Sequence, residues 1–150
     1  MQKNSFAKAL DIRPAQASDI DTLFSLDLIA HREEQRREFI RRSVATETCF
    51  VAVADEEVAG YGVLNYNFHD NGFIDMLYVK AEHRRAGVGT SLLGHMESLC
   101  QTPKLFTSTN LSNLPMQSLL NKFGFELSGV IHNLDAGDPE IVYCKRLTSK

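Results

Sequence analysis

The stretch from Phe73 to Val79 is apolar on both faces of a strand except at Asp75, and it feeds through Lys80–His83 into a turn holding Gly87 and Gly89. A helix pattern follows, in which Val88, Leu92, Leu93, Met96 and Leu99 fall on one face. Strand-period residues, a glycine turn and helix-period residues in that order restrict the chain to helices laid on a sheet. A strand apolar on both faces is expected at the sheet's centre, as its most buried member.

The other segments alternate in the same way. Asp11 to Pro14 reads as a first strand, and Ser18 is placed to cap a helix whose Ile20, Leu23, Phe24 and Leu28 share a face, with Asp21 set as in a capping box. Between His31 and Arg42 arginine and glutamate alternate, and Glu33 with Arg37 and Glu38 with Arg42 have the spacing of favourable pairs on a solvated helix. Cys49 to Ala54 and Val58 to Tyr66 are β-rich runs joined by the polar Asp55-Glu56-Glu57, hence antiparallel neighbours. Gly60 and Gly62 mark a close backbone approach or a bulge. Leu105 to Thr109 is a further strand, Pro115 and Gly124 bracket a helix through Lys122, and Phe125 to Ile131 and Ile141 to Arg146 close the pattern.

A chain of 150 residues with 43% apolar content suits one buried core. One domain is therefore expected, with residues 1–10 as a loosely ordered extension. The net charge of -3 supplies no field to hold DNA or RNA. Cys49, Cys100 and Cys144 are odd in number and widely spaced, which suggests neither a disulfide framework nor a metal site. With no apolar run of signal or membrane-spanning length, a cytoplasmic setting without membrane contact is expected.

A central strand leading through a glycine turn into a helix presents unpaired backbone N–H groups and the positive end of the helix dipole at one spot, which binds phosphate. Arg84 and Arg85 add charge, and Gly87 and Gly89 leave room for a diphosphate. The P-loop Lys-Ser pair is absent, and a dinucleotide fingerprint would need glycine where Leu92 stands.

Arg84-x-x-Gly87-x-Gly89, with Leu77 and Val79 on the strand before it, resembles the acetyl-coenzyme A motif of the GCN5-related N-acetyltransferases (GNAT). Asn113, Leu119, Lys122 and Gly124-Phe125 resemble that family's second cofactor block. The resemblance covers about Ile12 to Leu147 and implies an α/β (α+β) fold. Its centre would be a mixed, mostly antiparallel twisted sheet of six to seven strands, flanked by about four helices. It further implies an N-acetyltransferase that passes the acetyl group of acetyl-coenzyme A to a primary amine by direct attack in a ternary complex, with no metal. On this reading the backbone of Arg85, Ala86, Gly87, Val88, Gly89 and Thr90 holds the pyrophosphate, with Arg84 at the start of that turn. Leu77 and Val79 pair with the pantetheine arm, and Asn113 contacts the cofactor from elsewhere.

An alkylamine is only about one part in a thousand neutral near pH 7, so a group must take its proton. Asp75 is the candidate, because a carboxylate in an apolar strand is expensive unless paired or useful. The same residue could instead bond loop N–H groups or Arg84, and His69 and Asp70 are alternative bases. In place of the family's proton-donating tyrosine stands Leu120, which leaves three options: Tyr78 or Tyr143 protonates the thiolate, water does, or the thiolate departs without full assistance. Both tyrosines also suit a strand position with a buried ring. Met116 stands where the family prefers a small residue. The acidic Asp135, Asp138 and Glu140, near Gly137 and Pro139, would favour a cationic acceptor or simply form a hairpin loop. The acceptor, a small molecule or a peptide amine, and the state, monomer or homodimer, are left open. A non-catalytic acyl-CoA sensor of the same fold is the rival reading.

Overall fold

The computed structural model describes residues 10–147, so the expected N-terminal extension lies outside them except for Leu10, which starts a strand. The elements are β1 (Leu10–Pro14), α1 (Ile20–Leu26), α2 (Glu34–Ala45), β2 (Cys49–Ala54), β3 (Glu57–Phe68), β4 (Asn71–Val79), α3 (Val88–Leu99), β5 (Lys104–Asn110), α4 (Leu114–Lys122), β6 (Glu126–Ile131) and β7 (Glu140–Arg146). The strands form one seven-stranded sheet in the order β1-β2-β3-β4-β5-β7-β6. β4 and β5 run parallel, whereas β1 with β2, β2 with β3, β5 with β7 and β6 with β7 are antiparallel. The sheet is therefore mixed and mostly antiparallel, flanked by four helices, as the family resemblance implied. The parallel ladder is short, Gly72↔Leu105 to Ile74↔Thr107, and β4 runs on past it to Val79.

Two compact units can be distinguished: residues up to Val63 with Met76–His95, and Leu64–Asp75 with Met96 onward. In the first, Leu23, Leu26 and Ala30 meet Ile40 and Val44 of α2 over Cys49, Val51, Tyr61 and Val63 of β2 and β3. The β2–β3 hairpin turns on Asp55 (φ 50°) and Glu56 (φ 64°), a two-residue loop whose left-handed backbone matches strand twist. Glu57 already belongs to β3. The pairing steps from Ala52↔Gly60 to Val53↔Val58, which leaves Ala59 as a bulge on β3 beside Gly60. A Cβ on Gly60 would lie 2.6 Å from the Tyr78 carbonyl oxygen, so glycine there permits the close backbone approach expected from sequence.

Several sequence expectations are corrected here. The first helix is not capped by Ser18. A 3₁₀ turn over Ala17–Asp19 precedes α1, and the Gln16 N–H donates to Asp19 Oδ2 at 2.7 Å while Arg13 grips the same carboxylate at 2.7 and 2.9 Å. α1 stops at Leu26, so Leu28 lies beyond it and is 63% exposed instead of sharing the core face. On α2 the pairs are Arg37–Glu34, Arg41–Glu34 and Arg41–Glu38, not the i,i+4 pairs expected. Residues three or seven apart share a helix face equally well, and Arg41 reaches two carboxylates from one position. β4 is not the most buried strand: its residues from Asp75 onward are exposed or half-buried, whereas Ala59 to Leu64 of β3 are all buried. On α3 Val88, Leu92, Leu93 and Met96 are buried as expected, but Leu99 is exposed and Cys100 takes the inward place.

In the second unit β5 alternates cleanly, burying Leu105, Thr107 and Thr109. α4 has Pro115 in its first turn and ends where Gly124 (φ 94°) lets the Gly124 and Phe125 N–H groups bond back to Asn121 and Leu120. Gly72 lies where a Cβ would come 2.4 Å from Cys100 Sγ.

Candidate active site

The turn from β4 into α3 is anchored at its start. Lys80 N–H bonds the Ala59 carbonyl at 2.8 Å, and the Lys80 ammonium pairs with Glu57 and, at 3.2 Å, with Glu82. Buried His83 faces Glu57 at 3.7 Å. Glu57, Glu82 and His83 offer ligand-type atoms within 4.8 Å of one another, but Lys80 already supplies the positive charge there and holds the Glu57 carboxyl below the ordinary carboxylate range.

Past this anchor the backbone changes hand. Arg84 is extended, and Arg85 (φ 65°) and Gly87 (φ 82°) are left-handed, a conformation that disfavours a side chain such as arginine by roughly 1 kcal/mol. The Arg84 side chain donates through Nε to the Val79 carbonyl at 3.3 Å, which holds it along the strand end, not toward Asp75. The Ser91 N–H is the one that closes the first turn of α3, on the Gly87 carbonyl at 3.0 Å. The amides of Val88, Gly89 and Thr90 therefore have no intrahelical acceptor. Gly87 is exposed, and a Cβ there would meet nothing within 4 Å. Val88 is buried, so the amides of Gly89 and Thr90, at the positive end of a 12-residue helix and beside exposed Gly87, are the ones that could receive an anion.

Asp75 is exposed on β4, so the expectation of an apolar setting on both faces fails there. Its Oδ2 accepts from Asn65 Nδ2 at 3.0 Å. Tyr78 is half-buried, stacked on Tyr61 at 6.0 Å, and its hydroxyl oxygen accepts the Leu28 N–H at 3.2 Å, which leaves its own proton to be donated. Leu77 and Val79 are half-buried. Tyr143 is buried in β7, and Leu120 is fully buried in α4, so no hydroxyl comes from that position. Met116 is half-buried and its N–H is capped by Asn113 Oδ1 at 3.2 Å, which gives Asn113 a structural task at the start of α4. His69 (φ 51°) and Asp70 (φ 63°) form the left-handed turn between β3 and β4.

The acidic segment is stapled down. Both Asp138 oxygens are taken by Ser112, through its N–H at 2.9 Å and its hydroxyl at 2.6 Å, and Asp135 Oδ2 accepts from Asn110 Nδ2 at 2.9 Å. Leu111 N–H bonds the Pro139 carbonyl at 2.8 Å. Glu140 lies inside β7 and pairs with Asn110 and Ile131 in the ladders.

Sequence reading missed a buried polar cluster after α1. Asp27, 0% exposed, accepts from Tyr61 Oη at 2.6 Å, from Arg36 at 2.7 Å and from the Ile29 and Ala30 amides. Burial and the neighbouring Asp27 charge push the Tyr61 hydroxyl far up, so it stays a donor. Arg36 in an α2 stripe of alternating signs gave no hint that one arginine turns inward. Asn65 was missed as well, although Asn65-Tyr66-Asn67 interrupts an otherwise apolar run.

Comparison with known proteins agrees with this geometry. A crystal structure of a GNAT-family acetyltransferase from Bacillus cereus superposes with a TM-score of 0.85 at 34% identity, covering 92% of this chain and 97% of the other. An N-alpha-acetyltransferase from Sulfurisphaera tokodaii is 26% identical over 91% of each chain. A streptothricin acetyltransferase from Escherichia coli is 29% identical over 63% of this chain and 58% of its own length. Residues 17–125 match the Acetyltransferase (GNAT) family. With a strand, a left-handed turn and an amide-bearing helix end where that family's motif requires them, the chain belongs to the GNAT family of acetyltransferases.

Proposed function

We propose that this protein is an acetyl-coenzyme A-dependent N-acetyltransferase acting on a primary amine by direct attack in a ternary complex. The observation that carries the reading is the start of α3 behind the left-handed Arg85 and Gly87, where the amides of half-buried Gly89 and exposed Thr90 lack an intrahelical acceptor. These amides, with Arg84 and Arg85, hold the diphosphate, and Ala86 shares the turn. Leu77 and Val79, on the part of β4 beyond the β5 ladder, supply backbone groups to the pantetheine arm, and Asn113 contacts the cofactor through the side of its amide that does not cap α4.

The thioester brings an activated acyl group, so these residues chiefly position it and manage protons. The amine nitrogen forms the new C–N bond as the C–S bond breaks. Asp75, exposed to water, attracts the incoming ammonium and relays its proton to solvent. Tyr78, whose hydroxyl oxygen already accepts an N–H, gives its proton to the departing sulfur and regains one from solvent. Tyr143 is the alternative donor. Asp135, Asp138 and Glu140 supply negative charge toward a cationic acceptor, Ser112 holding Asp138 and Asn110 holding Asp135 in place.

The relatives include one named an N-alpha-acetyltransferase and one a streptothricin acetyltransferase, which frames the test. Acetyl-coenzyme A is offered with tetrapeptides bearing free N-termini, N-blocked lysine peptides and spermidine, and free thiol is followed. Turnover of any one supports the enzyme. Tight binding of coenzyme A without turnover on any would favour a sensor, a reading that rests on the buried Leu120 in place of a proton donor. Gly87→Asp should weaken coenzyme A binding by about a hundredfold through like-charge repulsion. Its fold should survive, because aspartate tolerates left-handed backbone. Unchanged affinity by calorimetry would mean the diphosphate binds elsewhere.

A further inference from the structure

We infer that Asn65 is a positioning residue for Asp75, an inference that rests on reading Asp75 as the group that receives the acceptor's proton. Asp75 is exposed, and an exposed aspartate moves among its rotamers unless something holds it. Asn65 holds it. Asn65 Nδ2 donates to Asp75 Oδ2 at 3.0 Å, while Asn65 Oδ1 accepts the Asn67 N–H at 3.1 Å.

These two bonds determine the orientation of the amide. Turned over, Asn65 would set its oxygen against a carboxylate and its NH₂ against an N–H, losing both contacts. The Asn67 amide thus acts as a key: it fixes which end of Asn65 faces β4, and therefore that Asp75 Oδ2 meets a donor. One carboxylate oxygen is anchored and the other, Oδ1, is left to face an ammonium or water. The Asn65-Tyr66-Asn67 spacing is what permits this, since a side chain can bond the backbone N–H two residues on.

A purely structural role for Asn65 makes a different forecast from a positioning role. Asn65→Ala should lower kcat about tenfold, the effect of losing a charge-assisted contact. The KM for acetyl-coenzyme A and the melting temperature should stay near those of the native enzyme. In an Asp75→Asn background, itself about a hundredfold slower, adding Asn65→Ala should have no further effect on kcat, because nothing remains to be positioned. The exchange Asn65→Asp with Asp75→Asn keeps one carboxylate and one amide in contact, so it should fold normally yet remain as slow as Asp75→Asn alone.

The assay is thiol release with acetyl-coenzyme A and whichever panel amine turns over fastest. Full activity in Asp75→Asn, or no turnover of any panel amine by the native enzyme, overturns the proton-acceptor reading and this inference with it. Loss in Asp75→Asn with native kcat in Asn65→Ala overturns the inference alone. So does an Asn65→Ala effect of equal size in both backgrounds, which would mark a structural contribution.

Discussion

Replacing Asp27 by alanine should be among the most damaging single changes in the first compact unit. Its carboxylate is 0% exposed, and four donors converge on it: Tyr61 Oη at 2.6 Å, Arg36 Nη1 at 2.7 Å, and the Ile29 and Ala30 amides at 3.0 and 3.4 Å. Alanine removes the counter-charge from an Arg36 side chain that is 18% exposed, and it leaves the proton of the fully buried Tyr61 hydroxyl without its acceptor. Stranding one partner of a buried ion pair costs about 3–5 kcal/mol, and an unsatisfied buried hydroxyl about 1–3 kcal/mol. The two losses share atoms and do not add fully, so roughly 4 kcal/mol is expected. At roughly 2–4 °C per kcal/mol for a chain of this length, the melting temperature should fall by about 8–16 °C. Urea unfolding at pH 7, followed by circular dichroism with and without Arg36→Met, measures it. The double variant should recover much of the loss, because no lone charge is left buried. A fall below about 1 kcal/mol in Asp27→Ala, or a double variant worse than the single, would refute the reasoning.

Gly60→Ala should destabilise by about 1–3 kcal/mol, because the new methyl would press on the Tyr78 carbonyl at 2.6 Å and on Val79 Cα at 3.3 Å; an unchanged melting curve would contradict the close approach. Burial raises the Cys49 thiol to about 12, so alkylation at pH 8 followed by peptide mapping should leave Cys49 unmodified until the chain is unfolded, thiolate being the reactive form. The hydrogen bond from Arg13 holds the Asp19 carboxyl below its ordinary value near 3.8. A depressed folded value contributes stability that is present above the ordinary value and lost as pH falls through the folded one. Asp19→Asn should therefore be less stable at pH 7 and should show a flatter loss of stability in acid; parallel acid-unfolding curves would count against the pair.

The strand, left-handed turn and helix start of the proposed phosphate-binding loop were legible because their determinants are local. Arg84, Gly87 and Gly89 follow a strand and open a helix within one short segment, and left-handed backbone is a property of single residues. The Pro115 to Gly124 bracket was legible for the same reason. Leu28 was misassigned because periodicity continues past the point where a helix ends: Asp27 leaves helical geometry (ψ 106°) to receive its partners. Leu99 is still helical, but at the last residue of α3 the inward place passes to Cys100. The expected burial around Asp75 failed because a strand reveals which residues share a face but not where its cover of neighbouring elements stops.

The order of strands, helices and turns, and the motif that carries the family resemblance, were legible in the sequence, since each depends on chain neighbours. Tyr61 bonding Asp27 across 34 positions, Asn65 turned toward Asp75 and Asp138 consumed by Ser112 are decided by folding. Polar side chains of the same kind look alike in sequence, and only the folded backbone selects which donor meets which acceptor at hydrogen-bonding distance.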